Sequence, residues 1–234
     1  MNRYLIFVFI IIFSGIYLQG RHLSDSYYRQ NESVNDSISI TWQEKLTDSC
    51  GIPLPAINIA LNGYYELKNK SLLQNDTLLT IIDFSRSSTE KRFYLLDLKN
   101  QKIVINTLVA HGKKTGVDIA ESFSNKRHSN KSSLGLYITK ETYEGKHGYS
   151  LRLDGVSEGY NDNARKRAIV IHGADYVSES FIKRNGRLGR SFGCPALPTN
   201  EVNEIIDLIK EGSCLFIYHP SLIPISQSDL EKLP

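Results

Sequence analysis

The chain has 234 residues, 41% of them hydrophobic and 10% aromatic, which is enough apolar material for one large domain or two small ones. Its net charge is +3, and basic residues are interleaved with acidic ones rather than clustered. This composition is that of a globular protein and excludes an obvious nucleic-acid-binding surface.

An uncharged apolar run from Tyr4 to Leu18 follows Arg3 at the N-terminus. The run is shorter than the roughly 20 residues of a usual membrane span, and it matches the apolar core of a secretory signal. No small-x-small cleavage site stands out after it. Residues 1–20 are therefore predicted to be either a cleaved signal peptide or a retained anchor that tethers the chain to a membrane, and the protein is predicted to be exported to the periplasm or cell envelope.

Residues 21–50 are polar with little periodicity, which predicts a linker. It precedes a predicted catalytic domain over 51–222 and a C-terminal tail over 223–234. The chain contains Cys50, Cys194 and Cys214, and an odd cysteine count in an exported protein leaves one thiol free. Pairing of Cys50 with Cys214 would leave Cys194 as that thiol; alternatively, either residue is simply a small buried side chain.

The period of the apolar residues changes along the predicted domain. Helical spacing over 53–70 predicts a helix, with prolines at its start. Short runs rich in branched and aromatic residues then predict strands at 78–84, 92–98, 102–110, 134–139, 149–153, 167–172 and 214–218. A long polar loop covers 111–133, and a second helix is predicted from Val202 to Gly212. The pattern is that of a mainly β, mostly antiparallel domain with two or three helices.

A histidine and a cysteine carry the most specific chemical signal. His172 ends an apolar strand, and Cys194 follows Gly193 in a tight segment. A cysteine is a useful nucleophile when a base or a positive charge lies beside it. Gly193 leaves room for a substrate carbonyl, and the amides of Gly193 and Cys194 are candidate donors to an oxyanion. Arg190 is a candidate to lower the thiol pKa or to bind a substrate carboxylate.

Acyl transfer on an amide is the reaction that this pair predicts. Taken alone, the pair also fits a structural histidine and a small core cysteine. The histidines show no HxxxH spacing and the cysteines no CxxC spacing, so no metal site is predicted.

Four segments, SSLGLYIT, YEGKHGYSLRLDG, GYNDNARKRAIVIHGADYVS and GRSFGCPAL, resemble the murein L,D-transpeptidase catalytic domain family, a branch of the YkuD-type L,D-transpeptidases. The resemblance extends from about Pro53 to Tyr218. It implies a β-sandwich or barrel with two or three peripheral helices. It also implies peptidoglycan stem peptides as donor and acceptor, with no cofactor or metal.

The resemblance implies a role for each matching position. Cys194 matches the nucleophile that forms a thioacyl intermediate, and Gly193 matches the glycine before it. Ser191 matches a hydroxyl-bearing position of the site. His172 matches the base, and Gly173 matches the residue whose backbone carbonyl orients that base.

Two departures from the family pattern affect substrate binding. Phe192 occupies the position of a second histidine, and Pro195-Ala196 replaces an apolar residue followed by arginine. Arg190 and His111 are the candidates to take over substrate binding. His147 and Tyr137 are further candidates to line the cleft, although a structural role is the favoured interpretation for both.

The predicted function is that of an exported cysteine L,D-transpeptidase that cross-links or trims stem peptides through a thioacyl enzyme on Cys194. Water as the acceptor would make the protein an L,D-carboxypeptidase. Phe192 motivates a further alternative, a peptidoglycan-binding module that keeps the fold without turnover.

Overall fold

A computed structural model describes residues 40–222. The predicted signal or anchor, the first part of the predicted linker and the predicted C-terminal tail lie outside the described residues. Residue contacts divide the chain into two units, 1–42 and 43–234, and the fold described below is that of the second. Within 40–222, no helix is both long enough and apolar enough to cross a membrane.

Eight strands form one sheet, in the order β3-β2-β1-β8-β4-β5-β6-β7. Neighbouring strands are antiparallel, except that β1 pairs with β8 and β6 with β7 in parallel. The predicted mainly β fold is confirmed. The strands are β1 (Leu78–Asp83), β2 (Phe93–Asp97), β3 (Lys102–Thr107), β4 (Gly135–Gly145), β5 (Gly148–Gly155), β6 (Val170–Gly173), β7 (Ala196–Leu197) and β8 (Cys214–Tyr218).

The two edges of the sheet meet and close it into a near-barrel. Ala110, which follows β3, forms a bridge with Ala196 of β7, with N–O distances of 2.9 and 3.3 Å. Gly112 forms a second bridge with Ser191. Closing a sheet removes its exposed edges. The closure also places the segment before Ala196, which includes Cys194, at the seam between the two edge strands of the sheet, β3 and β7.

Four α-helices pack around the sheet in the described part of the chain: α1 (Ile40–Cys50), α2 (Leu54–Asn69), α3 (Glu179–Asn185) and α4 (Val202–Ile209). The apolar stripe predicted for α2 is buried, with Pro53 at its N-cap. Gly63 allows α2 to approach β4 closely, because a Cβ atom there would lie 2.3 Å from Leu136 Cδ1. α4 buries the predicted apolar face, but it ends at Ile209 rather than at Gly212.

The prediction of a linker up to residue 50 is wrong for its last part, because Ile40–Cys50 form α1. The end of this helix is bound to the domain. Arg86 Nη1 and the hydroxyl of Tyr94 each donate a hydrogen bond of 3.1 Å to the carbonyl of Cys50. These long-range contacts stabilise a helix whose own sequence is too polar to predict it.

The suggested pairing of Cys50 with Cys214 is not formed, since all three cysteines are free thiols. Cys214 is fully buried within β8. Burial alone raises the pKa of its thiol, as expected for a small core residue. Of the two alternatives for Cys214, the core side chain is therefore the one observed.

The region around the predicted histidine strand differs from the prediction in detail. The strand begins at Val170 rather than at 167, because Arg165–Arg167 form a 3₁₀ helix that Ala168 ends with φ 53°. Helix α3, capped by Ser178, was not predicted, and neither was the short strand β7. Both are too short for periodicity to indicate them.

Candidate active site

The turn before β7 holds the cysteine through hydrogen bonds of one serine. The Ser191 hydroxyl donates to the carbonyl of Cys194 at 2.6 Å and accepts from the amide of Gly193 at 3.0 Å. The backbone amide of Ser191 donates to the carbonyl of His111 at 3.0 Å. The turn is therefore fixed from within and also from the neighbouring segment, which places the half-buried Cys194 in one orientation.

Gly193 is required by both conformation and space. Its φ is +132°, a region that L side chains rarely adopt, and an added Cβ would lie 2.8 Å from the carbonyl oxygen of Lys131. The Gly193 carbonyl accepts a hydrogen bond of 3.2 Å from Ser132 Oγ. The loop over 111–133 therefore lies directly against the residue before the cysteine.

His172 lies at the end of β6, is 3% exposed and pairs with Ala196 in the parallel β6–β7 register. Its Nδ1 lies 2.9 Å from the carbonyl oxygen of Gly173. A carbonyl can only accept, so Nδ1 carries the hydrogen and Nε2 has the free lone pair. Burial lowers the pKa of His172, and the charges of His147 and Lys146 lower it further, whereas the Gly173 hydrogen bond raises it. The ring is therefore a neutral base at neutral pH.

The thiol of Cys194 lies beside the strand that carries His172. Cys194 Sγ is 3.7 Å from the carbonyl oxygen of Ala168, and the amide of Val170 stabilises the thiolate. Val170 and His172 both belong to β6, so the strand whose amide contacts the thiol also carries the histidine. Burial raises the pKa of the Cys194 thiol, which leaves it protonated at rest. A neutral thiol needs a base before it can attack, and His172 is the candidate for that base on the neighbouring strand.

Two positive charges oppose the rise that burial causes in the pKa of the Cys194 thiol. Arg167, from the 3₁₀ helix, and Lys146, from the β4–β5 turn, each lower the pKa of Cys194. Sequence reasoning identified neither residue. The run of basic residues Arg165–Arg167 was visible, but its position beside the thiol depends on the 3₁₀ turn.

A comparison of the whole sequence with known families identifies the domain. Residues 49–218 match the sequence model of the YkuD-type family described as the L,D-transpeptidase catalytic domain. The chain belongs to this family. No curated protein is significantly similar to the chain in sequence.

Solved structures of L,D-transpeptidases resemble this domain at low sequence identity. The L,D-transpeptidase from Mycobacterium smegmatis is 12% identical, with a TM-score of 0.37 over 61% of this chain and 59% of that chain. An L,D-transpeptidase from Stackebrandtia nassauensis is 12% identical, with a TM-score of 0.37 over 69% and 66%. The helical cell shape determining protein Pgp2 from Campylobacter jejuni is 13% identical, with a TM-score of 0.43 over 77% and 61%. The chain thus spans about three-fifths of the first of these structures.

The three residues predicted to bind substrate in this L,D-transpeptidase domain make contacts with the protein itself. Arg190 donates from Nη1 to the carbonyls of Gly116 at 2.9 Å and Lys113 at 3.3 Å, so its guanidinium fastens the 111–133 loop. Ser191 is 4% exposed and is occupied by the cysteine turn. Both residues therefore support the site through contacts with the protein, and their role in substrate binding stays a prediction.

His111 is also a scaffold residue and not a ligand-binding one. It is fully buried, its Nδ1 accepts from Arg92 Nη2 at 2.9 Å, and its Nε2 lies 3.4 Å from the carbonyl of Gly116. Burial, followed by the charge of Arg92, lowers its pKa to about 4. No surface of the imidazole is open to a substrate. The burial of His111 was not expected, because a histidine at the start of a polar loop gives no sign of it in the sequence.

Two tyrosines of this L,D-transpeptidase domain lie within electrostatic reach of the thiol. Tyr137 is fully buried and donates to the carbonyl of Ser133 at 3.0 Å, which makes it a supporting residue. Tyr176 is half-buried and packs over Gly189, where an added Cβ would lie 2.4 Å from Tyr176 Cβ. Burial and then Cys194 raise the pKa of Tyr176 to about 12, so its hydroxyl remains a donor. Sequence reasoning missed Tyr176.

Within 40–222, no three His, Cys, Asp or Glu side chains are arranged to hold a metal ion. The groups that act on Cys194 electrostatically are a guanidinium, an ammonium and phenols, and the two positive charges suit the stabilisation of negative charge.

Proposed function

We propose that this protein is an exported cysteine L,D-transpeptidase that acts on peptidoglycan stem peptides, with Cys194 as nucleophile and His172 as general base. The observation that carries the proposal is the hydrogen bond of His172 Nδ1 to the Gly173 carbonyl at 2.9 Å, on the strand whose Val170 amide contacts the Cys194 thiol. Membership of the L,D-transpeptidase family supports the substrate class. The apolar run from Tyr4 to Leu18 supports export to the periplasm or cell envelope.

In the first half-reaction, Nε2 of His172 takes the thiol proton and Cys194 Sγ attacks the carbonyl carbon that precedes the terminal D-alanine. Negative charge then develops on the carbonyl oxygen. The Gly193 amide already donates to Ser191, so we assign the stabilisation of this oxyanion to the Cys194 amide and the hydroxyl of Tyr176. Collapse breaks the amide bond, and D-alanine leaves with the proton from His172.

In the second half-reaction, the amine of a neighbouring stem peptide attacks the thioester carbon and gives its proton to His172. The new amide forms as the carbon–sulfur bond breaks, and the proton returns to the thiolate of Cys194. Water in place of the amine gives trimming rather than cross-linking. With a tetrapeptide stem as substrate, cross-linked dimers identify the transpeptidase, and tripeptide alone identifies the carboxypeptidase.

Labelling by a carbapenem, read by intact mass, tests the nucleophile directly. We expect one covalent adduct on the wild type and none on Cys194→Ala. Cys50→Ser is the matched control, because Cys50 is also a half-buried free thiol, and this variant should label like the wild type. A wild-type protein that neither labels nor releases D-alanine from a tetrapeptide would contradict the proposal.

A non-catalytic peptidoglycan-binding module is the second candidate, and Phe192 is the observation that favours it. The ring is 64% exposed beside Cys194, where the wider family has a histidine, and Lys113 Nζ lies 4.1 Å from its centroid. An exposed ring with a cation over it is a binding surface without acid–base chemistry. Co-sedimentation with peptidoglycan by a protein whose Cys194 does not react would support this candidate.

A further inference from the structure

The hairpin formed by β4 and β5 bends towards the site and carries a two-residue turn at its tip. Gly145 pairs with Gly148, which leaves Lys146 and His147 as the turn residues. The register shifts between Thr139 and Thr142 of β4, an irregularity that bends a strand. β4 pairs with β8 only from Gly135 to Ile138, so the outer part of the hairpin extends beyond that neighbour.

The register of β5 against β6 places this tip at the catalytic end of the sheet. Ser150 of β5 pairs with His172, and the hairpin tip comes just before Ser150 in the chain. The exposed ring of His147 stacks on the buried ring of His172, with centroids 4.4 Å apart and an interplanar angle of 24°. Lys146 is the neighbouring turn residue, and its charge acts on both His172 and Cys194.

We propose that Lys146 and His147 are positioning residues of the active site. The ring of His147 covers one face of His172 and holds it in the orientation that presents Nε2, and the same two-residue tip brings the ammonium of Lys146 to the catalytic end of the sheet. This inference rests on the proposed pairing of His172 with Cys194. It gives His147, which the sequence suggested only as a candidate to line the cleft, a specific contact with the base, and it adds Lys146 beside it.

Stacking has a clear physical consequence for the base. A ring lying flat on His172 limits rotation about its side-chain bonds, so the Nδ1 hydrogen bond to Gly173 is retained. Positive charge on the tip disfavours the protonated form of His172 and favours the ionised form of Cys194. Positive charge at the tip therefore favours the reactive form of both residues, the neutral form of His172 and the thiolate form of Cys194.

The charged and titratable groups that face the pair come from several elements. The hairpin contributes Lys146 and His147, the 3₁₀ helix contributes Arg167, β4 contributes Tyr137, and the segment after β6 contributes Tyr176. Val202, the first residue of α4, and Thr199, just before that helix, face Gly173, and neither is charged. Of these groups, only the two tip residues act on His172 itself.

The test is the rate at which iodoacetamide alkylates Cys194 as a function of pH. The rate is read from the mass of the proteolytic peptide that contains Cys194. Lys146→Gln should lower the rate near neutral pH by at least about threefold and move the curve to higher pH, because a charge that favours the thiolate is lost. His147→Ala should lower the rate across the curve. His147→Phe should restore the rate, because it keeps a stacking ring. The acidic limb of its alkylation curve should move to higher pH, because the variant removes a charge that disfavours protonation of His172.

Lys99→Gln is the matched control, because Lys99 is an exposed lysine in the turn before β3, whereas Ala110 at the seam lies beyond the opposite end of that strand. Its curve should overlay that of the wild type. The proposal is overturned if either Lys146→Gln or His147→Ala also overlays the wild type. Alkylation needs no peptide substrate, so this outcome differs from failure of the proposed function, in which the wild type releases no D-alanine whatever its alkylation curve.

Discussion

Nδ1 of His172 and the carbonyl oxygen of Gly173 lie 2.9 Å apart, which fixes the neutral histidine as the tautomer with a free Nε2. The contact joins adjacent residues, so it depends only on the local conformation of β6. It also distinguishes this site from one in which a carboxylate orients the base. A carbonyl carries no full charge, so it only weakly opposes the lowering of the histidine pKa by burial.

The first prediction concerns the acidic limb of the pH–rate profile. His172 must be neutral to accept the thiol proton, and burial lowers its pKa below the ordinary value of 6.5. Activity should therefore persist below pH 6.5 and fall only at lower pH, as His172 becomes protonated. The measurement is kcat/KM for D-alanine release from a tetrapeptide across the acidic range. A midpoint at or above 6.5 would contradict the assignment.

The second prediction concerns Gly193→Ala. The substitution forces a Cβ against the Lys131 carbonyl at a φ of +132°, so the cysteine turn must shift. We expect a loss of about 1–3 kcal/mol in the free energy of unfolding and at least a tenfold fall in carbapenem labelling rate. Gly159→Ala is the matched control, because φ is +76° there but an added Cβ meets nothing within 4 Å. Equal labelling by the two variants would refute the role of this close approach.

The third prediction concerns Arg167, which joins the 3₁₀ helix to the long loop. Its Nη1 donates to the Ser124 carbonyl at 2.7 Å and to Ser133 Oγ at 2.6 Å, and Nη2 donates to the Lys131 carbonyl at 2.5 Å. Arg167→Gln should cost about 2 kcal/mol or more of unfolding free energy, because the partners of a half-buried charge lose their donor.

Arg167→Gln should also raise the pKa of the Cys194 thiol, while Arg167→Lys should keep the charge and lose mainly stability. Urea denaturation and the pH dependence of alkylation measure the two effects separately. Lys166→Gln, an exposed neighbour in the same 3₁₀ helix, serves as the control. An unchanged thiol pKa in Arg167→Gln would show that the guanidinium does not act on the nucleophile.

The fourth prediction concerns His111 and stability at low pH. The folded pKa of His111 is about 4 and its ordinary value is 6.5, so the unfolded chain binds the extra proton between these values. Stability contributed by neutral His111 is present above pH 6.5 and falls by about 3 kcal/mol as the pH drops to 4. His111→Gln should flatten this part of the curve of unfolding free energy against pH. His128→Gln, at an exposed histidine of the same loop, should leave it unchanged.

Local patterns in the sequence identified much of the fold. The three runs of branched and aromatic residues became the antiparallel meander of β1, β2 and β3, because each is a short strand between turn residues. Helices α2 and α4 followed from apolar residues at helical spacing. In contrast, α1 was missed, because its stability comes from Arg86 and Tyr94, which are distant in the chain.

For the site, the sequence by itself determined the nucleophile and base that we propose, since Gly193-Cys194 and His172-Gly173 are local motifs whose chemistry can be read from residue type. Only the tertiary structure decided what surrounds them. Closure of the sheet between Ala110 and Ala196, together with the bend of the β4–β5 hairpin, gave Cys194 its neighbours Arg167 and Lys146 and gave His172 its stacking partner His147. These contacts join segments far apart in the chain, and local periodicity cannot specify such pairings because it reports only which face of an element is buried.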